Sequence, residues 1–331
     1  MSKPNLVTGA NGHLGNNLVR ALLERGEKVR ASTRNMQDTT PFDGLDCEIM
    51  QADLMDKDSL LKALEGVDTL YQVAAVFRHW ARDPQREIIV PNLQGTRNIL
   101  EAAAAQGVER IVYVSSEVTL DDHVDPVNES TWRSEFRGNP YVQSKTEAEQ
   151  LAWQLSGDLD LDMVSVLPGA IIGPHCFRLT PTMRYLQQAL DGDVFVDVNF
   201  PMSFVDARDV AEGMILAAQK GKRGERYLLV TEEPVNTQQV IALAREIEPG
   251  LKIPPRAPKF LLQGMSSMME FASKITGQRP LLLRSQVDLY YGVGPRKDIS
   301  KARTELGFEP RDVETALQET FRYLMERKEK E

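Results

Sequence analysis

Three glycines, Gly9, Gly12 and Gly15, punctuate the stretch Val7-Thr8-Gly9-Ala10-Asn11-Gly12-His13-Leu14-Gly15 and constrain the fold more than any other feature of the sequence. They stand between an apolar run ending at Leu6-Val7 and a stretch where Leu14, Leu18, Val19, Leu22 and Leu23 recur at three- and four-residue steps, the period of one helix face. The glycines therefore mark a strand-to-helix turn. Gly9 permits the tight turn, Gly12 lets backbone N–H groups approach a pyrophosphate, and Gly15 lets the helix pack on the strand. The turn from Gly9 through Asn11, Gly12, His13 and Leu14 to Gly15 reads as a phosphate cradle, the alternative being an ordinary βα turn.

Residues 27–33 read as a second strand, whose carboxyl end faces the adenosine ribose if the preceding turn holds a dinucleotide. NAD sites place an acid there to bond the ribose hydroxyls, whereas a 2′-phosphate requires positive charge. No acid lies between the strand end and Asp38; Thr33 and Arg34 occupy the strand end with Arg30 nearby, which predicts NADP(H), the alternative being an Arg34 that merely solvates the strand end. Further strands are predicted over 47–51 and 67–73, with a helix over 58–65 between them. Asp53 either accepts from the adenine amino group or caps the turn that follows. The small pair Ala74-Ala75 lets backbone lie against the cofactor. The loop Val76 to Asp83 lies at the substrate mouth, where His79 beside Trp80 is either a packed or solvated side chain or a substrate contact.

A long helix is predicted from Pro84 to Gln106, then a fifth strand from Arg110 to Val114 that delivers Ser115 and Ser116 to the sheet edge where ligands meet a doubly wound fold. Asn139-Pro140 then begins a helix that sets Tyr141 and Lys145 one turn apart on the same face. An ammonium beside a phenol favours the phenolate and lowers its pKa. Ser116 then holds a substrate carbonyl while Tyr141 donates its proton.

The glycine turn, the serine after strand five and Tyr-x-x-x-Lys together make the chain resemble the extended short-chain dehydrogenase/reductases over nearly its whole length. The match is to TGxxGxxG at Thr8–Gly15, to the catalytic set Ser116, Tyr141 and Lys145, and to NxxGT at Asn92, Gly95 and Thr96. Within that family it looks most like the dihydroflavonol 4-reductases and their 3β-hydroxysteroid dehydrogenase-like bacterial relatives. The resemblance implies an α/β fold, a doubly wound parallel sheet (Rossmann) with a smaller C-terminal α+β substrate lobe. It also implies Arg34 at the 2′-phosphate, Asp53-Leu54 at the adenine, and cofactor contacts at Asn92, Tyr141 and Lys145. Pro168, Gly169 and Ile171, in the loop 168–174, face the nicotinamide by the same resemblance. Asp121 stands where the plant flavonoid enzymes carry an asparagine, which sets a flavonoid substrate apart.

The expected division is a dinucleotide-binding part over 1–175, with 203–230 returning to it, and a substrate lobe over 176–202 and 231–331. Residues 203–205 are expected to rejoin the sheet, 209–219 to be helical and 226–230 to form a strand. In the lobe Phe260, Leu261, Met265, Met268, Met269, Phe271 and Ile275 read as a helix packed inside it, or as a wall against a bulky apolar ligand. The function expected is NADPH-dependent reduction of a ketone or aldehyde, with reversible alcohol oxidation. One alternative is a nucleotide-sugar epimerase or dehydratase. Such enzymes carry Arg-Asp before the aromatic of the late strand, where this chain has Met202-Ser203 before Phe204, and of the dehydratase Asp-Glu pair only Glu117 is present. The other alternative is a non-catalytic NADPH sensor.

Charge narrows the partners. With 39 Lys+Arg against 48 Asp+Glu and no basic run, nucleic acid is excluded as the expected partner. Cys47 and Cys176 have no metal-site spacing, so no metal is expected, and two thiols without a disulfide framework fit the cytoplasm. No signal-peptide core and no membrane span are read in the sequence. A homodimer is expected through the 84–106 and 141–155 helices, on the small and apolar residues Ala148, Leu151, Ala152 and Leu155 and the alanine-rich end of the first.

Overall fold

The computed structural model describes residues 3–330. Its centre is a seven-stranded parallel sheet in the order β3-β2-β1-β4-β5-β6-β9, formed by β1 (Asn5–Val7), β2 (Val29–Thr33), β3 (Glu48–Gln51), β4 (Thr69–Gln72), β5 (Arg110–Val114), β6 (Met163–Pro168) and β9 (Arg226–Leu229). The chain runs outward from β1 to β3 and then crosses to β4 on the other side. The strand order therefore reverses between β1 and β4, where Val7 pairs with Tyr71, and a crevice opens at their carboxyl ends.

Both sheet faces are covered, which is why these strands read as apolar runs. On one side α1 (His13–Glu24) and α6 (Ala207–Lys220) bury Leu14, Leu18, Leu22, Val210 and Met214. On the other, α2 (Lys57–Leu64), α3 (Val90–Gln106) and α4 (Pro140–Asp158) bury Leu60, Leu64, Ile99, Leu100, Ala152 and Leu155. The helices α5 (Pro181–Asp191), α7 (Thr237–Ile247) and α10 (Val313–Lys330) share a third core with β7 (Ala170–Ile172) and β8 (Phe204–Asp206), centred on Met183, Leu186, Phe204, Val240 and Phe321. The pair α8 (Lys259–Thr276) and α9 (Arg284–Tyr290) rests on a small cluster of Ala257, Leu262 and Val287.

Three expectations need correction, and a fourth, the helix from Pro84 to Gln106, gains a detail. Residues 203–205 do not rejoin the main sheet: β8 pairs with β7, Ile171 opposite Val205, because β9 takes the place beside β6 with Ser165 opposite Arg226. The long helix begins as a π-turn over Gln85–Ile89, with the Val90 N–H on the Gln85 carbonyl. Pro91 has no N–H to return to Glu87, so the wider turn carries the chain past it. The Met-rich helix α8 is not packed inside the lobe, since Phe260, Leu261, Met265, Met268, Phe271 and Ile275 face outward. Finally, Ala102, Ala103, Ala148, Ala152 and Leu155 are buried within the protomer, where α3 packs on α4, and offer no outward surface for a partner.

Candidate active site

The glycine turn lies at the point where the strand order reverses. Gly9 takes φ +61°, and a Cβ there would stand 3.1 Å from the Ala74 Cα beyond β4. At Gly15 a Cβ would fall 2.3 Å from the Gly9 carbonyl, so only glycine lets α1 start this close to β1. Thr8 fixes the other wall: its hydroxyl accepts from the Val73 and Ala74 amides at 2.9 and 3.1 Å and donates to Gln72 Oε1 at 2.8 Å. Gly12 is the N-cap of α1 with no side-chain cap. The first amides of that helix thus lack intrahelical partners and aim positive dipole into the crevice. This cradle fits a pyrophosphate. The Asn11 side chain donates to Asp38 at 3.0 Å, and His13 Nε2 lies 3.1 and 3.0 Å from the Gly173 and Pro174 carbonyls. Burial pushes the His13 imidazole down to about 4, which keeps it neutral.

Beyond β2, Arg34 is exposed and its guanidinium has no carboxylate partner among the described residues. Arg30 is not available beside it. Its Nε bonds Glu48 at 2.7 Å and its Nη1 the carbonyls of Ala63 and Glu65, closing the end of α2 instead. Asp53 caps a turn, Oδ1 accepting the Met55 amide at 2.9 Å. Leu54, Ala74, Ala75, Asn92 and Lys145 meet around one small cavity. Asn92 brackets Val76, accepting its N–H at 2.8 Å and donating to its carbonyl at 3.2 Å, and reaches Ser144 Oγ at 3.1 Å. Pro168 ends β6, Ile171 pairs in β7, and Gly169 between them leaves no room for a Cβ, which would lie 2.2 Å from the Ser203 carbonyl.

Asn139 starts α4 by accepting the Tyr141 and Val142 amides at 3.1 and 3.2 Å, with Pro140 in the first turn. That cap sets Tyr141 beside the end of β5, near enough to Ser116 for that hydroxyl to act on its phenol. Which serine faces Tyr141 is decided by the other's commitment: Ser115 Oγ donates to the buried Glu149 at 2.6 Å. Burial pushes the Tyr141 phenol up to about 12, against the opposing hydrogen bond from Ser116. This reverses the direction expected from its neighbour on the helix. The Lys145 ammonium donates to the Val114 carbonyl at 3.0 Å, and burial lowers it to about 8 despite Glu149.

Tertiary structure brings His79 to this centre and adds Phe77, Tyr290 and Glu149, which sequence reading did not select. Phe77 and His79 pack on the Tyr141 ring at centroid distances of 5.0 and 4.7 Å, so His79 belongs to the site and not to solvent. Burial brings its imidazole down to about 4. From α9, Tyr290 directs a buried, unpartnered hydroxyl into the same region, close enough to feel Tyr141 and Glu117. Behind Ser116, Glu149 accepts from Ser115, Thr119, Ser165 and Arg226, and Arg226 lies over the Trp132 ring at 3.7 Å. Glu149 had a signal, since it follows Tyr141 and Lys145 at the next four-residue step. Tyr290 had none. A cavity of ≈ 830 Å³ flanks the centre at His79 and Pro140, bounded by Trp80, Arg137, Leu283 and residues of α8.

Residues 5–229 match the family described as NAD dependent epimerase/dehydratase. The chain is 36% identical over 330 residues to sterol demethylase protein B of Methylococcus capsulatus, covering 97% of this chain and 98% of that protein. It is 33% identical over 324 residues to a putative dihydroflavonol 4-reductase of Synechocystis, covering 94% and 91%. The crystal structure of the yeast methylglyoxal/isovaleraldehyde reductase Gre2 complexed with NADPH superposes with a TM-score of 0.78 at 21% identity, over 99% of this chain and 100% of that one.

Proposed function

This chain belongs to the NAD dependent epimerase/dehydratase family and is an NAD(P)-dependent oxidoreductase of the extended short-chain dehydrogenase/reductase type, and from that premise we propose that it reduces a ketone or aldehyde with NADPH, and oxidises the alcohol in reverse. The observation that carries this reading is the Tyr141 phenol, held protonated near Ser116 and packed on His79, which lines a large cavity. Bound NADPH supplies the hydride. Reduction of a carbonyl then needs one proton, and a phenol near 12 keeps its proton at neutral pH until the developing alkoxide takes it. Ser116 holds the carbonyl oxygen. Lys145 has spent one N–H on Val114 and keeps two for a ribose hydroxyl. Arg34, with no carboxylate partner, supports selection of the 2′-phosphate.

The substrate proposed is bulky and apolar, on the size of the cavity and on Trp80 and Leu283 in its wall. We assign 1–175 and 203–230 to the cofactor and 176–202 and 231–331 to the substrate. The enzyme is taken to be cytoplasmic; no described helix is long and apolar enough to cross a membrane. A homodimer rests on what α3 and α4 leave outside, notably half-buried Leu151 and Trp153. Glu117 faces Lys297 at 3.3 Å, a counter-ion role that argues against dehydratase chemistry. Aryl ketones, steroids, dihydroflavonols and UDP-sugars, each incubated with NADPH, test the reading through steady NADPH loss. Tightly retained NAD(H) and epimer formation without net cofactor turnover would instead establish the nucleotide-sugar chemistry.

A further inference from the structure

We propose that the outward face of α8 docks this protein onto an anionic lipid surface. The helix is inverted relative to a core helix. Leu262, Ser266 and Ser273 face the protein, so two of the three buried positions are serines, while Phe260, Met268, Phe271 and Ile275 are each exposed by 67–75%. With Leu261 and Met265 they cover an arc of roughly 140° at about 100° per residue. Leu281, just past the helix, is 91% exposed and extends the patch. Isolated apolar side chains on a surface need no partner, but a contiguous stripe of large ones marks a contact.

The charges around the stripe identify the occupant. Residues 252–284 carry six Lys and Arg against one Glu, in a chain with 39 against 48 overall. Lys252, Lys274 and Arg279 are exposed and have no carboxylate partner among the described residues. An apolar helix face with the exposed cations Lys274 and Arg279 beside it complements anionic headgroups over acyl chains. A second copy fits less well, because a twofold contact through this face sets the basic rim against itself. The helix lies along the surface and does not span it. Ser273, Lys274 and Ile275 also line the ≈ 830 Å³ cavity, so docking places that cavity at the lipid boundary.

Sedimentation of the full chain with vesicles tests this, using phosphatidylcholine alone or mixed with phosphatidylglycerol. The protein is expected to pellet with the mixed vesicles, to be released as salt rises, and to remain in solution with phosphatidylcholine alone. M268S/F271S/I275S removes only exposed side chains and should lower the vesicle affinity at least about tenfold; K274E/R279E, which keeps the apolar stripe, should also weaken it. A wild-type protein that ignores the mixed vesicles overturns the proposal, as does a serine variant that binds them equally well. So does a wild-type oligomer that the serine variant converts to monomer without any vesicle binding, which would make the face a contact between copies.

Discussion

Glu149→Gln removes one charge from a place that water does not reach. The Glu149 side chain is fully buried, and its two oxygens accept five hydrogen bonds: Ser115 at 2.6 Å, Thr119 and Ser165 at 2.9 Å, and Arg226 Nε and Nη2 at 2.9 and 3.0 Å. Glutamine keeps the shape but turns one oxygen into a donor, so one side of the carboxylate site sets N–H against N–H. Arg226 retains the Glu129 and Thr131 carbonyls at 3.0 and 2.9 Å, yet its charge loses the only counter-ion it touches among the described residues. Breaking a buried pair from one side costs about 3–5 kcal/mol. At roughly 2.1 cal/mol/K per residue, a chain of 331 residues has an unfolding entropy of about 0.7 kcal/mol/K, so the thermal midpoint should fall by about 4–7 °C. Differential scanning calorimetry on wild type, E149Q, R226M and E149M/R226M reads this directly. The double variant leaves no unpaired charge and should recover most of the loss. If E149Q melts within about 1 °C of wild type, or if the double variant loses the sum of the two single losses, the network is not held by its ion pair and the reasoning fails.

Tyr141→Phe keeps the ring that packs on Phe77 and His79, so NADPH affinity should survive while kcat falls roughly 10²–10⁴-fold; a variant keeping more than about a tenth of the wild-type kcat would remove Tyr141 as the proton donor. Arg34→Asp should weaken NADPH binding at least about tenfold and leave NADH nearly unchanged in fluorescence titrations, and equal effects on both would mean that Arg34 does not meet the 2′-phosphate. His13 is a base whose folded pKa lies near 4, below its unfolded value of 6.5, so the unfolded chain binds the extra proton and stability falls as pH drops through that window. The full shift is worth about 3 kcal/mol. His13→Gln should therefore flatten the decline of the melting temperature between pH 7 and pH 4, and an unchanged decline would show that His13 is not held neutral.

Much of this protein was legible in one dimension because the relevant interactions are local. The turn Gly9–Gly15, the Asn139-Pro140 start of α4 and the four-residue step from Tyr141 to Lys145 each lie within one turn or one helix face, where backbone geometry alone fixes what neighbours what. The apolar runs of β2 to β5 and β9 are equally direct, and their ends fall within about two residues of those expected. Composition also marked α8 as an apolar stretch, but it could not say which way its large side chains face. A moment along the sequence has no sign relative to the core, and here the serines went inward. The same limit applied to the alanines of α3 and α4, which pack on each other instead of a second copy. Electrostatics changed most on folding. The Tyr141 phenol rises because it is enclosed, and Lys145 spends a proton on the Val114 carbonyl, a group that strand β5 brings from 31 residues away. Ser115 and Ser116 were equivalent by composition until β5 and α4 closed on Glu149, which claimed one and left the other to Tyr141. Sequence alone thus determined which chemistry is present, through short-range spacing. Tertiary packing decided which groups are desolvated, which are paired and which remain free, because burial and long-range hydrogen bonds exist only once distant segments meet.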